Sequence, residues 1–143
     1  MTKTLRRLAR IQRIYRDEAR SDFASAQRVK QDHDIALRDC EAHLQETRQA
    51  PSEDADELMR RHAYTLRQEM RRRALEAKSE PLDAWVEQRR TTLLDAARRF
   101  ETTERYADRI EETVAEYRQR RDQRRLDEAG QQVWLRRQTT ENR

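Results

Sequence analysis

The sequence predicts an all-α protein, a long antiparallel two-helix coiled-coil hairpin with a shorter middle helix at its closed end. Three observations predict it. First, Leu82, Val86, Arg89, Leu93, Ala96, Phe100, Thr103, Ala107, Ile110, Val114 and Tyr117 succeed one another in alternating steps of four and three residues. Nine of the eleven are apolar, where a composition that is 34% hydrophobic would place about four by chance. Second, the 143 residues include one glycine, two prolines and 42% charged residues, a composition suited to long helices and poor in turn signals. Third, residues 4–47 and 82–125 would each span roughly 66 Å at 1.5 Å per residue, on either side of a shorter insert.

A period-3.5 seam flanked by Glu87, Arg90, Asp95, Arg98, Glu101, Glu104 and Arg105 is narrower than the face of a globular-core helix. It requires one partner helix along its length. The matched lengths favour the first helix of the same chain as that partner; the alternative is an intermolecular coiled coil in which the long helix pairs with its own copy.

The first helix is expected over 4–47, with a seam of Leu8, Tyr15, Ala19, Phe23, Ala26, Lys30, His33, Leu37, Cys40 and Leu44. The four–three alternation is regular from Ala19. Lys30 and His33 interrupt it, as polar residues do where they fix register at some cost in stability. Residues 49–57 break the pattern. Pro51 disfavours helix at Ala50, and Ser52 followed by acids reads as the cap of a middle helix over 53–78. That helix carries a thinner stripe of Met59, Ala63, Leu66, Met70, Ala74 and Ala77. Ser79 and Pro81 then read as the N-cap and first turn of the long helix, 82–128. Gly130 weakens the helix around it, and 131–143 is expected to fray. The whole, 1–143, reads as a single domain.

Charge is segregated. Residues 1–20 hold seven bases and two acids, and 118–125 hold five bases and one acid. An open end bearing both termini would therefore carry about +9, although the chain totals +4. A lone Cys40 excludes an intramolecular disulfide and suits a reducing, cytoplasmic setting. The arginine-rich opening is superficially similar to a mitochondrial presequence, but its helical pattern continues without a processing boundary.

Catalytic chemistry is not expected. One glycine cannot build a phosphate loop, and carboxylates on solvated helices lack a cleft to shift their pKa values. His33, Cys40 and His43 share a helix face, yet two of them fall on the seam and a zinc site needs four well-placed ligands. No cofactor or metal is expected. The arginines could neutralise phosphates, but they are not interleaved with stacking aromatics. Nucleic acid is therefore not expected as a partner, and neither is membrane insertion.

Two short stretches carry a resemblance. Arg6-Arg7-Leu8-Ala9-Arg10-Ile11, followed by Asp17-Glu18-Ala19, is similar to the basic, aliphatic opening of the FliJ/YscO family. Arg124-Arg125-Leu126-Asp127-Glu128 resembles that family's pattern of two bases, an aliphatic residue and two acids. These are the central stalk proteins of type III secretion ATPases, flagellar or injectisome. The resemblance implies a non-enzymatic antiparallel coiled coil, cytoplasmic at the base of the secretion apparatus. The end with both termini would enter the hexameric ATPase, and the remainder would reach the cytoplasmic domain of the export gate. Some members also bind secretion chaperones.

Matched residue by residue, the resemblance gives ATPase contact to Arg6, Arg7, Arg10, Arg124 and Arg125. The charge at the open end adds Arg13 and Arg121. The break at Pro51 and the middle helix depart from the simplest two-helix pattern. Met59, Leu66 and Met70 either cap the hairpin or dock on the export gate or a chaperone. The alternatives to a stalk are a passive coiled-coil spacer and a basic nucleic-acid-binding coiled coil.

Overall fold

The structure, a computed structural model, describes residues 2–51 and 54–141. Two long helices, α1 (Thr2–Gln49) and α2 (Ala55–Glu141), pack against each other, and the described residues contain no strand. The chain divides into two compact units, Ile14–Arg98 and Met1–Arg13 with Arg99–Arg143.

In the unit Ile14–Arg98 the two helices run antiparallel. Arg89 faces Asp22 at 3.5 Å, Lys30 bonds Asp83, and His33 Nε2 lies 2.8 Å from the Leu75 carbonyl oxygen. On α1 the shielded residues include Arg16, Ala19, Phe23, Ala26, Lys30, His33, Leu37, Cys40, Leu44 and Thr47, in unbroken four–three steps. On α2 they include Arg61, Thr65, Gln68, Arg72, Leu75, Ser79, Leu82, Val86, Arg89, Leu93 and Ala96, again without a slip.

This arrangement corrects the expected register. The stretch anticipated as a middle helix is itself the partner of α1, because Cys40 Sγ donates to the Gln68 carbonyl and Arg48 pairs with Glu69 at 2.9 Å. Only a short connection joins the helices. The expected cap Ser52 lies outside the described residues. The Asp54 carboxylate accepts the Asp56 N–H at 3.3 Å at the start of α2. Arg61 donates to the carbonyls of Ala50 and Pro51, just past the end of α1, and ties that part of the connection to α2.

The expected stop at Ser79–Pro81 does not occur. Pro81 lies inside α2. Ser79 is no N-cap, since its hydroxyl donates back to the Leu75 carbonyl at 3.4 Å. An interior proline removes one backbone bond, here to the Ala77 carbonyl, and crowds the preceding turn. Seam residues on both sides outweigh that cost: Leu75 and Ser79 before it and Leu82 and Val86 after it hold one phase against α1.

In the other unit, Arg6 bonds Asp108 and Glu111, and the Arg13 guanidinium lies over the Phe100 ring, 5.6 Å from its centroid. Leu5, Ala9 and Gln12 of α1 are shielded, as are Phe100, Thr103, Ala107, Ile110 and Val114 of α2. Leu8 and Tyr15, expected in the seam, are exposed, as is Tyr117. The regular alternation from Ala19, counted backwards, gives 16, 12, 9 and 5. Apolar character drew the expectation to the neighbouring positions. Every residue from 115 to 139 is exposed, and α2 continues to Glu141. Extending a formed helix adds one hydrogen bond per residue fixed and avoids the cost of a new nucleus.

Two substitutions probe this packing. Phe100→Ala removes a side chain that is 8% exposed and is expected to cost about 3 kcal/mol in chemical denaturation. Pro81→Ala restores the bond to Ala77 and is expected to raise the melting temperature, by up to about 3 kcal/mol of stability. A neutral result there would place a helix boundary at Pro81 after all.

Candidate functional site

Two of the predicted basic residues, Arg6 and Arg13, are exposed but engaged by neighbours across their own unit. Arg6 is engaged. Its Nε donates to Glu111 at 2.8 Å and its Nη2 to Asp108 and Glu111 at 2.8 and 2.6 Å. These hydrogen bonds raise the Arg6 pKa, with Glu111 the larger influence, and the same guanidinium lowers that of Glu111. Arg13 is likewise drawn over Phe100. The matched helix lengths would place residues 118–125 beside this end of α1. The observed register sets Arg6 against two acids instead, which avoids stacking arginine on arginine.

Arg7 and Arg10 are exposed, and with Lys3 they occupy positions i, i+4 and i+7 on one face of α1. Lys3, Thr4, Arg6, Arg7, Arg10 and Glu111 line a shallow open groove. Lys3 was missed in the sequence, although this spacing was available to find it. Arg124 and Arg125 are exposed on the stretch of α2 where no residue is shielded. Arg121 is exposed there too, with Asp122 at 3.4 Å. Tyr117, Leu126, Val133, Trp134 and Leu135 are exposed along the same stretch. A bare helix bearing both arginines and large apolar side chains suits contact with another surface.

The second predicted set, Met59, Leu66 and Met70, lies in the unit Ile14–Arg98. These residues are 72%, 48% and 71% exposed and therefore do not cap the helix pair. Each precedes a seam position, Arg61, Gln68 or Arg72, by two residues, which puts the stripe about 160° away from α1. Leu58, Met59, His62, Ala63 and Leu66 line an open, largely apolar depression there.

The other polar residues of the seam are structural in their contacts. The Leu75 carbonyl can only accept, so His33 Nε2 carries the proton in that bond, and the Cys40 thiol is buried against Gln68. Among the described residues, no cluster of three or more His, Cys, Asp or Glu side chains is placed to hold a metal ion. No helix among them is long and apolar enough to cross a membrane. Comparison with protein-family profiles, curated proteins and solved structures gives no match.

The Arg6–Glu111 pair sets a pH dependence. Glu111 has a pKa held below its usual 4.5, so its contribution to stability is present above that value and lost as pH falls through the lowered one. Thermal melts of the wild type and Glu111→Gln should therefore differ at neutral pH and converge in acid. An equal gap at every pH would mean that the pair contributes nothing through charge.

Proposed function

We propose that this protein is a non-enzymatic stalk of a type III protein secretion ATPase complex, built as an antiparallel coiled-coil hairpin and working in the cytoplasm at the base of the apparatus. The observation that carries the reading is the exposed arginine set of a single unit, Arg7 and Arg10 on α1 with Arg121, Arg124 and Arg125 on the bare stretch of α2. Four of these five coincide with positions matched by the FliJ/YscO resemblance.

A stalk held within a hexameric ring needs contacts that attract without fixing one register. Exposed arginines facing scattered carboxylates meet that need, because each such pair is worth about 1 kcal/mol or less and can exchange with its neighbours. A dry apolar plug would bind tightly in one orientation. Arg6 and Arg13 have a different role in this reading: they hold the two helices together beside the contact surface. The exposed stripe of Met59, Leu66 and Met70 serves the second attachment, to the export gate or to a chaperone.

The test is ATP hydrolysis by the cognate hexamer with and without this protein. Arg7→Glu/Arg10→Glu and Arg124→Glu/Arg125→Glu are each expected to reduce stimulation by about tenfold, and more at low salt than at high salt. Stimulation equal to wild type by both variants rejects the mechanism. The basic stretch at 118–125 also favours a second reading, binding to nucleic acid. DNA binding at moderate salt, with no effect on the ATPase, would select it.

A further inference from the structure

We infer that the outer face of α2 between Leu58 and Lys78 is a docking surface for an acidic amphipathic helix of another protein. This deepens the second attachment proposed above but does not depend on the ATPase reading, since it uses other residues in the other unit.

The sequence of this stretch has two faces with inverted polarity. Arg61, Thr65, Gln68 and Arg72 are turned toward α1, where a seam would ordinarily place apolar residues. Met59, Ala63, Leu66 and Met70, in steps of four, three and four, are turned to solvent. Ala74 and Ala77 prolong the exposed face with small side chains. That spacing is what a second helix reads, because knobs at four–three intervals accept the ridge of a partner. Two methionines let the surface adapt to different partner side chains.

Charge selects the occupant. Between Leu58 and Lys78 the carboxylates are Glu69 and Glu76, and both are already in ion pairs, with Arg48 at 2.9 Å and Arg72 at 3.5 Å. Around the stripe Arg60, Arg67, Arg71, Arg73 and Lys78 are exposed. A partner helix with acidic flanks would meet this rim favourably, and a basic one would be repelled. A second copy of this chain fits poorly. Its other runs of exposed large apolar residues, Leu8–Tyr15 and Leu126–Leu135, lie in or directly beyond arginine-rich stretches.

The chain has three methionines, so 13C-methyl labelling reads Met59 and Met70 directly. The probe is a synthetic helical peptide with leucines at four–three spacing and glutamates on both flanks, titrated into the full chain. Saturable shifts of both methyl signals are expected. Leu66→Glu should weaken binding by at least about tenfold with the helical circular dichroism unchanged, because Leu66 is on the outer face. Arg60→Glu/Arg67→Glu should weaken it by a similar factor, and added salt should narrow that difference.

A lysine-flanked peptide binding equally well overturns the charge argument, and no saturable shift with the acidic peptide overturns the site. Phosphatidylglycerol vesicles shifting the same methyl signals, with the peptide inert, would make the face a lipid-binding one instead. A concentration-dependent dimer abolished by Leu66→Glu would assign it to a second copy. The ATPase assay above uses neither the peptide nor these residues, so the two readings fail separately.

Discussion

The passage of α2 through Pro81 without a break is the constraint on which the rest depends. A continuous α-helix fixes the rotational phase of each residue relative to its neighbours, so the strong seam at Leu82, Val86, Leu93 and Ala96 also dictates what faces α1 further back. Counting backwards in fours and threes gives Ser79, Leu75, Arg72, Gln68, Thr65 and Arg61. Had the helix ended at Pro81, residues 55–78 could have rotated by nearly half a turn and buried their methionines. Continuity forbids that rotation, and Met59, Leu66 and Met70 remain outside.

The polar seam that results is held by local arrangements rather than by apolar area. Arg61 ties the connection just past α1 to α2, Gln68 receives the Cys40 thiol, and His33 reaches the Leu75 carbonyl. Each replaces a hydrophobic contact with a hydrogen bond whose net contribution is about 1 kcal/mol. The apolar contributions come chiefly from the α1 side of this stretch, Leu37, Cys40 and Leu44, and from α2 beyond Leu82. Polar groups at such positions specify alignment better than they stabilise it.

Electrostatics shapes the other unit in a comparable way. Arg6 lies against Asp108 and Glu111, and Arg13 lies over Phe100, so two bases of the N-terminal cluster are consumed by the fold. Of the remaining five bases, Lys3, Arg7, Arg10 and Arg20 are exposed, and Arg16 is half-buried with Asp17 beside it. From 115 to 139 the helix has no shielded residue, and its arginines face solvent. Sorting the cluster in this way separates residues that hold the helices together from residues free to meet a partner.

The sequence by itself determined that the described chain is helical, that Leu82 to Val114 forms a seam, and that Ala19 to Leu44 continues one in α1. A period of 3.5 sustained in apolar residues is local information and needs no partner to be read. It also located Met59, Leu66 and Met70 as an apolar stripe and the arginines as a basic cluster. Only the tertiary structure decided which stretches pair. Equal lengths suggested 4–47 against 82–125, but that register would have set the arginines of 118–125 beside those near the N-terminus. The observed pairing faces Arg6 with acids and gives the inner end of α1 to residues 61–83. Local signals at Ser79 and Pro81 argued for a boundary, and at Leu8 and Tyr15 for burial. Both yielded because the phase of a helix is set by its best-packed part and transmitted by its backbone.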